Sequence, residues 1–215
     1  MTRSARYFTL GGTSREVAEV WFVLHGYGQL AARFVRHFEP LDDGTRLIVA
    51  PEGLSRFYLS EDPAERRVGA SWMTREDRLA EIENYVQYLD AVYADVFAGA
   101  GRSPVTVVAL GFSQGANTAC RWATMGTSQI DRLIVWGGEV PPDLDLSREP
   151  AAGRLRALRL SLVYGARDEF FTAKVVGATE ARLREHRIPY ALVPFDGGHE
   201  IDAGALRRVA LRAEG

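Results

Sequence analysis

Apolar runs of strand length recur along the chain, each bounded by Gly, Pro or charged residues: Val20–Leu24, Leu47–Ala50, Val105–Leu110, Leu133–Trp136, Leu160–Tyr164 and Tyr190–Phe195. The runs are apolar throughout and do not alternate with polar residues, which is the pattern of strands buried on both faces. Between them the period changes. Leu79, Ile82, Val86, Leu89, Tyr93 and Val96 fall at intervals of 3, 4, 3, 4 and 3, a stripe along one side of a helix that faces a core. The same reading predicts helices over Leu30–Phe38, Gln114–Met125, Thr172–His186 and Ala203–Arg212. Strand and helix alternate almost to the end, so the expected class is α/β, with a mostly parallel central sheet and helices on both faces.

Some segments stand outside that rhythm. Tyr7–Leu10, followed by Gly11-Gly12 and then Val17 onward, reads as one or two antiparallel edge strands. Glu52–Ser71 and Gly137–Gly153, the latter with Pro141, Pro142 and Pro150, are longer than ordinary connections, which makes each a candidate binding loop. No repeat, low-complexity tract or linker interrupts the chain, so residues 1–215 read as a single domain.

Composition narrows the function by exclusion. The 47% hydrophobic and 25% charged residues are those of an ordinary globule. With 26 basic against 28 acidic residues there is no basic footprint, and a nucleic-acid partner is not expected. Lys174 is the sole lysine, and the arginines are scattered, which reads as coding bias. Cys120, the single cysteine, cannot close an intramolecular disulfide and has no companion at metal-ligand spacing. The expectation is therefore a buried thiol, compatible with a reducing compartment, and a reaction without metal or other cofactor. The N-terminal residues lead into only a short apolar stretch, against about 7–15 apolar residues for a signal peptide and about 18 or more for a membrane span. A cytoplasmic protein without a membrane span is expected; nothing in the sequence fixes its oligomeric state.

The chemistry begins at Gly111-Phe112-Ser113-Gln114-Gly115, directly after the run Val105–Leu110 and directly before a helical stretch. This is G-x-S-x-G between strand and helix. The serine occupies a tight, strained turn, and glycines two residues to either side admit backbones that come too close for a Cβ. The hydroxyl is then held above the sheet, and the amide of the next residue points at the same spot from the helix N-terminus. A serine hydroxyl needs a base, itself held by a third group, and in this arrangement the order is Ser, acid, His. Two histidines follow Ser113. His199, in Asp196-Gly197-Gly198-His199-Glu200, lies on a glycine-marked loop after the last strand run and is the expected base; His186 sits at a charged helix end, where a solvated histidine is ordinary. The acid is expected at Asp168, because the run Leu160–Tyr164 leads straight into Gly165-Ala166-Arg167-Asp168. Glu169 is its neighbouring competitor, with Asp143 and Asp145 further back.

Acyl transfer also needs donors aimed at the developing oxyanion. His25-Gly26-Tyr27-Gly28 follows the strand run Val20–Leu24, so the amides of Tyr27 and Gln114 are the expected pair, with Gly28 as the alternate first donor. His25 reads as a group that pins this turn. Trp72, Phe170 and Phe171 fall near the same sheet edge and are candidate pocket walls, although aromatic packing explains them as well.

The turns His25-Gly26-Tyr27-Gly28, Gly111-Phe112-Ser113-Gln114-Gly115, Gly165-Ala166-Arg167-Asp168 and Gly198-His199-Glu200 together resemble the motifs of the α/β-hydrolase superfamily. Within it they resemble the small serine esterases of the phospholipase/carboxylesterase group, which includes acyl-protein thioesterases. The resemblance runs over nearly the whole chain and implies a compact core without a large cap domain. It also implies cleavage of carboxylic ester or thioester bonds, with a small-molecule ester as the partner. Arg56–Leu59 through Ser71-Trp72 loosely resembles the family's aromatic substrate-side loop. Gly137–Gly153 is too short for the cap that larger relatives insert, so short to medium acyl chains are expected. An acyl-protein thioesterase or lysophospholipase-like activity shares the same attack and is the alternative. A non-catalytic ligand-binding module of the same fold would leave a catalytic position empty, and here all three are filled.

Overall fold

In a computed structural model, residues 4–12, 17–62, 64–98 and 105–211 are described. Seven strands form one sheet: β1 (Tyr7–Gly11), β2 (Glu19–Leu24), β3 (Arg46–Pro51), β6 (Thr106–Phe112), β7 (Arg132–Trp136), β8 (Arg159–Gly165) and β9 (Tyr190–Phe195), in the spatial order β1-β3-β2-β6-β7-β8-β9. Every pairing is parallel except β1 with β3, which is antiparallel. The remaining two strands, β4 (Ser55–Tyr58) and β5 (Val68–Ser71), pair antiparallel as a separate hairpin.

Burial explains the continuous apolar runs. All six residues of β2 are buried, with Val20, Phe22 and Leu24 in one apolar cluster and Trp21 and Val23 in another. The first cluster is closed by α2 (Arg78–Phe97) and α3 (Gln114–Met125), with residues of α4 (Ala151–Ala157) and α5 (Ala173–Glu185). The second is closed by α1 (Ala31–Phe34), the 3-10 turn Val35–Leu41 and α6 (Ala203–Leu211). Helices therefore cover both faces of the sheet. None of them is long and apolar enough to cross a membrane, among the described residues.

Three local expectations change. The single helix expected over Leu30–Phe38 is a short α-helix that tightens into 3-10 from Val35, around Pro40, which has no N–H to give to a carbonyl four residues back. The N-terminal segment is one antiparallel edge strand, because β1 pairs with β3 while β2 lies inside the sheet. Glu52–Ser71 is largely the β4–β5 hairpin. The hairpin is tied to the turn after β2 by Gly28 N–H to Ala70 O at 2.9 Å and Ala70 N–H to Gln29 O at 3.2 Å.

The register aligns the strand ends. Leu24 pairs with Gly111, Phe112 with Trp136, Trp136 with Val163, and Gly165 with Phe195. The segments that leave these ends, beginning at His25, Ser113, Gly137, Ala166 and Asp196, thus emerge side by side at the carboxyl edge, where open α/β sheets place their ligands.

Candidate active site

Ser113 sits between β6 and α3 at φ +54° and ψ −117°, a conformation that costs a non-glycine residue about 1–3 kcal/mol and persists only where neighbours enforce it. The neighbours are backbone. A Cβ at Gly111 would overlap the carbonyl oxygen of Gly115, and one at Gly115 would overlap that of Leu24. Ser113 N–H donates to Trp136 O at 2.9 Å, which ties the turn to the end of β7. Gln114 is the first residue of α3, so its amide is one of the donors a helix start leaves unpaired.

His199 and Asp168 are joined: His199 Nδ1 lies 2.8 Å from Asp168 Oδ2. A carboxylate only accepts, so Nδ1 carries a proton, and in the neutral imidazole this leaves the lone pair on Nε2. The second carboxylate oxygen, Oδ1, accepts from Phe170 N–H at 2.9 Å and Phe171 N–H at 2.8 Å. The Asp168 side chain is 1% exposed, so its orientation is set entirely by these partners. The imidazole packs against the rings of Phe112 and Phe170, at centroid distances of 4.8 and 5.0 Å. The competing carboxylates go elsewhere. Glu169 is exposed, Asp143 bridges Arg78 and Arg121, and Asp145 binds Ser147 and Arg148. His186 caps the end of α5.

The turn after β2 comes close to the serine: a Cβ on Gly26 would stand 3.2 Å from Ser113 Cβ. Of its two candidate donors, Gly28 N–H is already committed to Ala70 O, whereas Tyr27 N–H has no acceptor among the described residues. His25 holds the turn from beneath. It is fully buried; Gly53 N–H donates to its Nε2 at 2.9 Å, so Nδ1 carries the proton and donates to Gly26 O at 2.8 Å. Burial pushes its pKa below the ordinary histidine value and keeps the ring neutral.

Ser113, Gln114 and His199 share a cavity of about 520 Å³. Ser113 Oγ makes no hydrogen bond to His199 among the described residues; such contacts are commonly long before substrate arrives. Phe170 and Phe171 contribute to the walls, together with Gly137 and Gly138 from the loop after β7. Trp72 does not. It is 1% exposed, its ring packs on His25 at 5.0 Å, and its Nε1–H donates to His25 O at 2.8 Å, so it belongs to the core beneath the site and not to the pocket wall.

No protein-family model matches the sequence, and no curated protein matches it; the likeness to known proteins is one of structure. The acyl-protein thioesterase 2 of Zea mays superposes with a TM-score of 0.74 over 98% of each chain at 17% identity. A carboxylesterase from Mesorhizobium loti gives 0.74 over 98% of this chain and 95% of that one at 22% identity, and esterase PE8 gives 0.71 over 97% of each at 22%. The fold is that of the α/β-hydrolases.

Within this α/β-hydrolase fold, several residues that shape the site carry no sequence signal of their own. The Gln114 side chain reaches across to the hairpin end, accepting from Trp72 N–H at 3.1 Å and donating to Met73 O at 2.8 Å. Gln29 Oε1 accepts from Gly26 N–H at 2.8 Å and shapes the turn that carries Tyr27. Gly137, at φ +52°, passes so near His199 that a Cβ would lie 3.2 Å from the ring. Arg78, Arg121 and Asp143 enter the cavity from α2, α3 and the 137–153 loop, and make one end of it charged.

Proposed function

We propose that this chain is a cofactor-independent serine hydrolase of carboxylic esters with short to medium acyl chains, of the phospholipase/carboxylesterase type. In this reading Ser113 Oγ attacks the ester carbonyl while His199 Nε2 takes its proton, and Asp168 holds the imidazole in the tautomer that leaves Nε2 free. The negative charge that develops on the carbonyl oxygen is met by the amides of Tyr27 and Gln114. His199 then gives the proton to the leaving alcohol, and water repeats the cycle on the acyl-enzyme.

The observation that carries the reading is the coincidence of three features around Ser113. A strained serine heads a helix, a histidine has its Nδ1 fixed by a buried carboxylate, and a turn beside the serine keeps one amide without an acceptor. A ligand-binding module has no need of the strain or of the fixed tautomer. Thioesters undergo the same attack, so acyl length and not bond type separates this reading from a thioesterase of long acyl groups. The charged end of the cavity favours the shorter chain. We place the enzyme in the cytoplasm; the lone buried Cys120 is compatible with a reducing compartment.

The test is kcat/KM for monomeric p-nitrophenyl esters of two to sixteen acyl carbons, with Ser113→Ala as the blank. We expect a maximum at or below about eight carbons, each methylene on an apolar wall adding up to about 0.8 kcal/mol until the wall ends. A steady rise to sixteen carbons would replace this reading with a thioesterase or lysophospholipase. Equal turnover by Ser113→Ala would remove the hydrolase reading altogether.

A further inference from the structure

A second cavity, of about 770 Å³, lies behind the first, between α2, α3 and the 143–151 segment. It is open to solvent: its aliphatic wall is formed by Leu79, Ile82, Val86, Met125 and Leu144, of which Leu79 and Met125 are exposed, and its rim carries charged residues such as Glu83, Asp90 and Arg148. Arg121 and Asp143 line both cavities. They belong to a continuous ion bridge: Asp143 Oδ1 accepts from Arg121 Nη2 at 2.8 Å, and Oδ2 accepts from Arg78 Nη2 at 2.7 Å. We propose that the bridge Arg78–Asp143–Arg121 is the end wall of the acyl site, and that it sets the acyl length this chain accepts by closing off the apolar cavity behind it. The inference rests on the ester-hydrolase reading of Ser113.

The placement of Arg121 supports this role. It lies on α3, the helix that Ser113 heads, eight residues on, or roughly 12 Å along the axis, and helical side chains lean back toward the N-terminus. Its guanidinium therefore stands across the path of a chain that leaves the serine and runs along α3. The bridge is held at both ends. Tyr85 OH lies 3.4 Å from Arg121 Nη1, and Arg121 is 4% exposed. On the other side, Arg182 donates to the carbonyls of Val140, Pro141 and Leu144 and fixes the loop that carries Asp143. A methylene pressed against this bridge gains none of the burial, worth up to roughly fourfold per carbon, that the aliphatic wall beyond would provide. Removing Asp143 alone leaves a buried guanidinium without its carboxylate, so the clean opening removes both charges.

The experiment compares kcat/KM for monomeric p-nitrophenyl esters of four and twelve carbons in the wild type, Asp143→Ala, the double variant Arg121→Met with Asp143→Ala, and that double variant with Met125→Trp added to fill the second cavity. The twelve-to-four ratio is expected below one in the wild type and at least tenfold higher in the double variant, with the added Met125→Trp bringing it back down. If that double variant fails to fold, Arg121→Gln with Asp143→Asn, which removes both charges and lets the two side chains keep a hydrogen bond, supplies the same test with a smaller rise. An unchanged ratio in the folded variants, or a rise that Met125→Trp leaves in place, overturns the end wall while the hydrolase reading stands. A wild type that hydrolyses neither ester overturns both.

Discussion

Asp168 divides its two oxygens between two tasks, one held by the amides of Phe170 and Phe171 and the other receiving His199 Nδ1–H. Asp168→Asn keeps the shape but offers an N–H where the imidazole needs an acceptor, so the histidine turns to the wrong tautomer. Turnover is expected to fall by roughly 10³–10⁴ with the fold intact. Glu169→Gln, at an exposed neighbour with no part in this network, is expected to stay within about threefold of wild type, on the scale of a few tenths of a kcal/mol for surface changes. The reverse order in steady-state kinetics would move the acid to Glu169. His25 gives a second prediction at this scale. Its folded pKa lies below the unfolded value of about 6.5 because burial disfavours the cation, so the unfolded chain binds the proton more readily. That contribution to stability is complete above the unfolded value and is lost as pH falls through the folded one. The thermal midpoint is expected to drop between pH 7 and 5, and to drop less in His25→Gln, which starts lower but has no proton to take up; equal slopes would contradict the assignment. Residues whose placement follows from a local turn, such as Ser113, His25 and Asp168, were legible in the sequence as positions at the sheet edge. Trp72 was not, because an aromatic beside a sheet edge looks the same whether it faces the cavity or, as here, hydrogen-bonds His25 O beneath it.

Among the elements, the continuous apolar strands and α2 declare themselves because their environment is uniform: β2 is buried along its whole length, and α2 turns one stripe to the core. The β4–β5 hairpin escapes such a reading. Ser55-Arg56-Phe57-Tyr58 is half-buried and mixed in polarity, and the hairpin is anchored through Ala70 of β5 to Gly28 and Gln29, distant in sequence. The strand-to-helix junction is the opposite case, since its glycines are needed for space and not for flexibility. Gly115→Ala would drive a methyl into Leu24 O, with no flexible side chain able to yield. Overpacking of this kind costs about 1–3 kcal/mol, and because the displaced strand end carries His25 and the Tyr27 turn, activity is expected to fall with it. Urea denaturation reads the first effect and ester hydrolysis the second. A Gly115→Ala protein with wild-type stability would mean that β2 and α3 do not approach in this way.

Across the whole molecule, five strand ends in register deliver the groups that the sequence scatters from His25 to His199. The alternation of strand and helix made this convergence legible, since a parallel sheet leaves all its carboxyl ends at one edge. The charged end of the cavity was not legible: Arg78, Arg121 and Asp143 come from three elements, and no spacing in sequence links them. The central claim is that this convergence makes one serine a nucleophile. An alkyl fluorophosphonate, applied to the folded protein with EDTA present throughout and followed by peptide mapping in the mass spectrometer, tests it most directly. The expected result is a single adduct, on Ser113, formed slowly or not at all in His199→Ala and absent from Ser113→Ala. An adduct on another serine, none on the folded wild type, or labelling of Ser113 at an undiminished rate without His199 would contradict it.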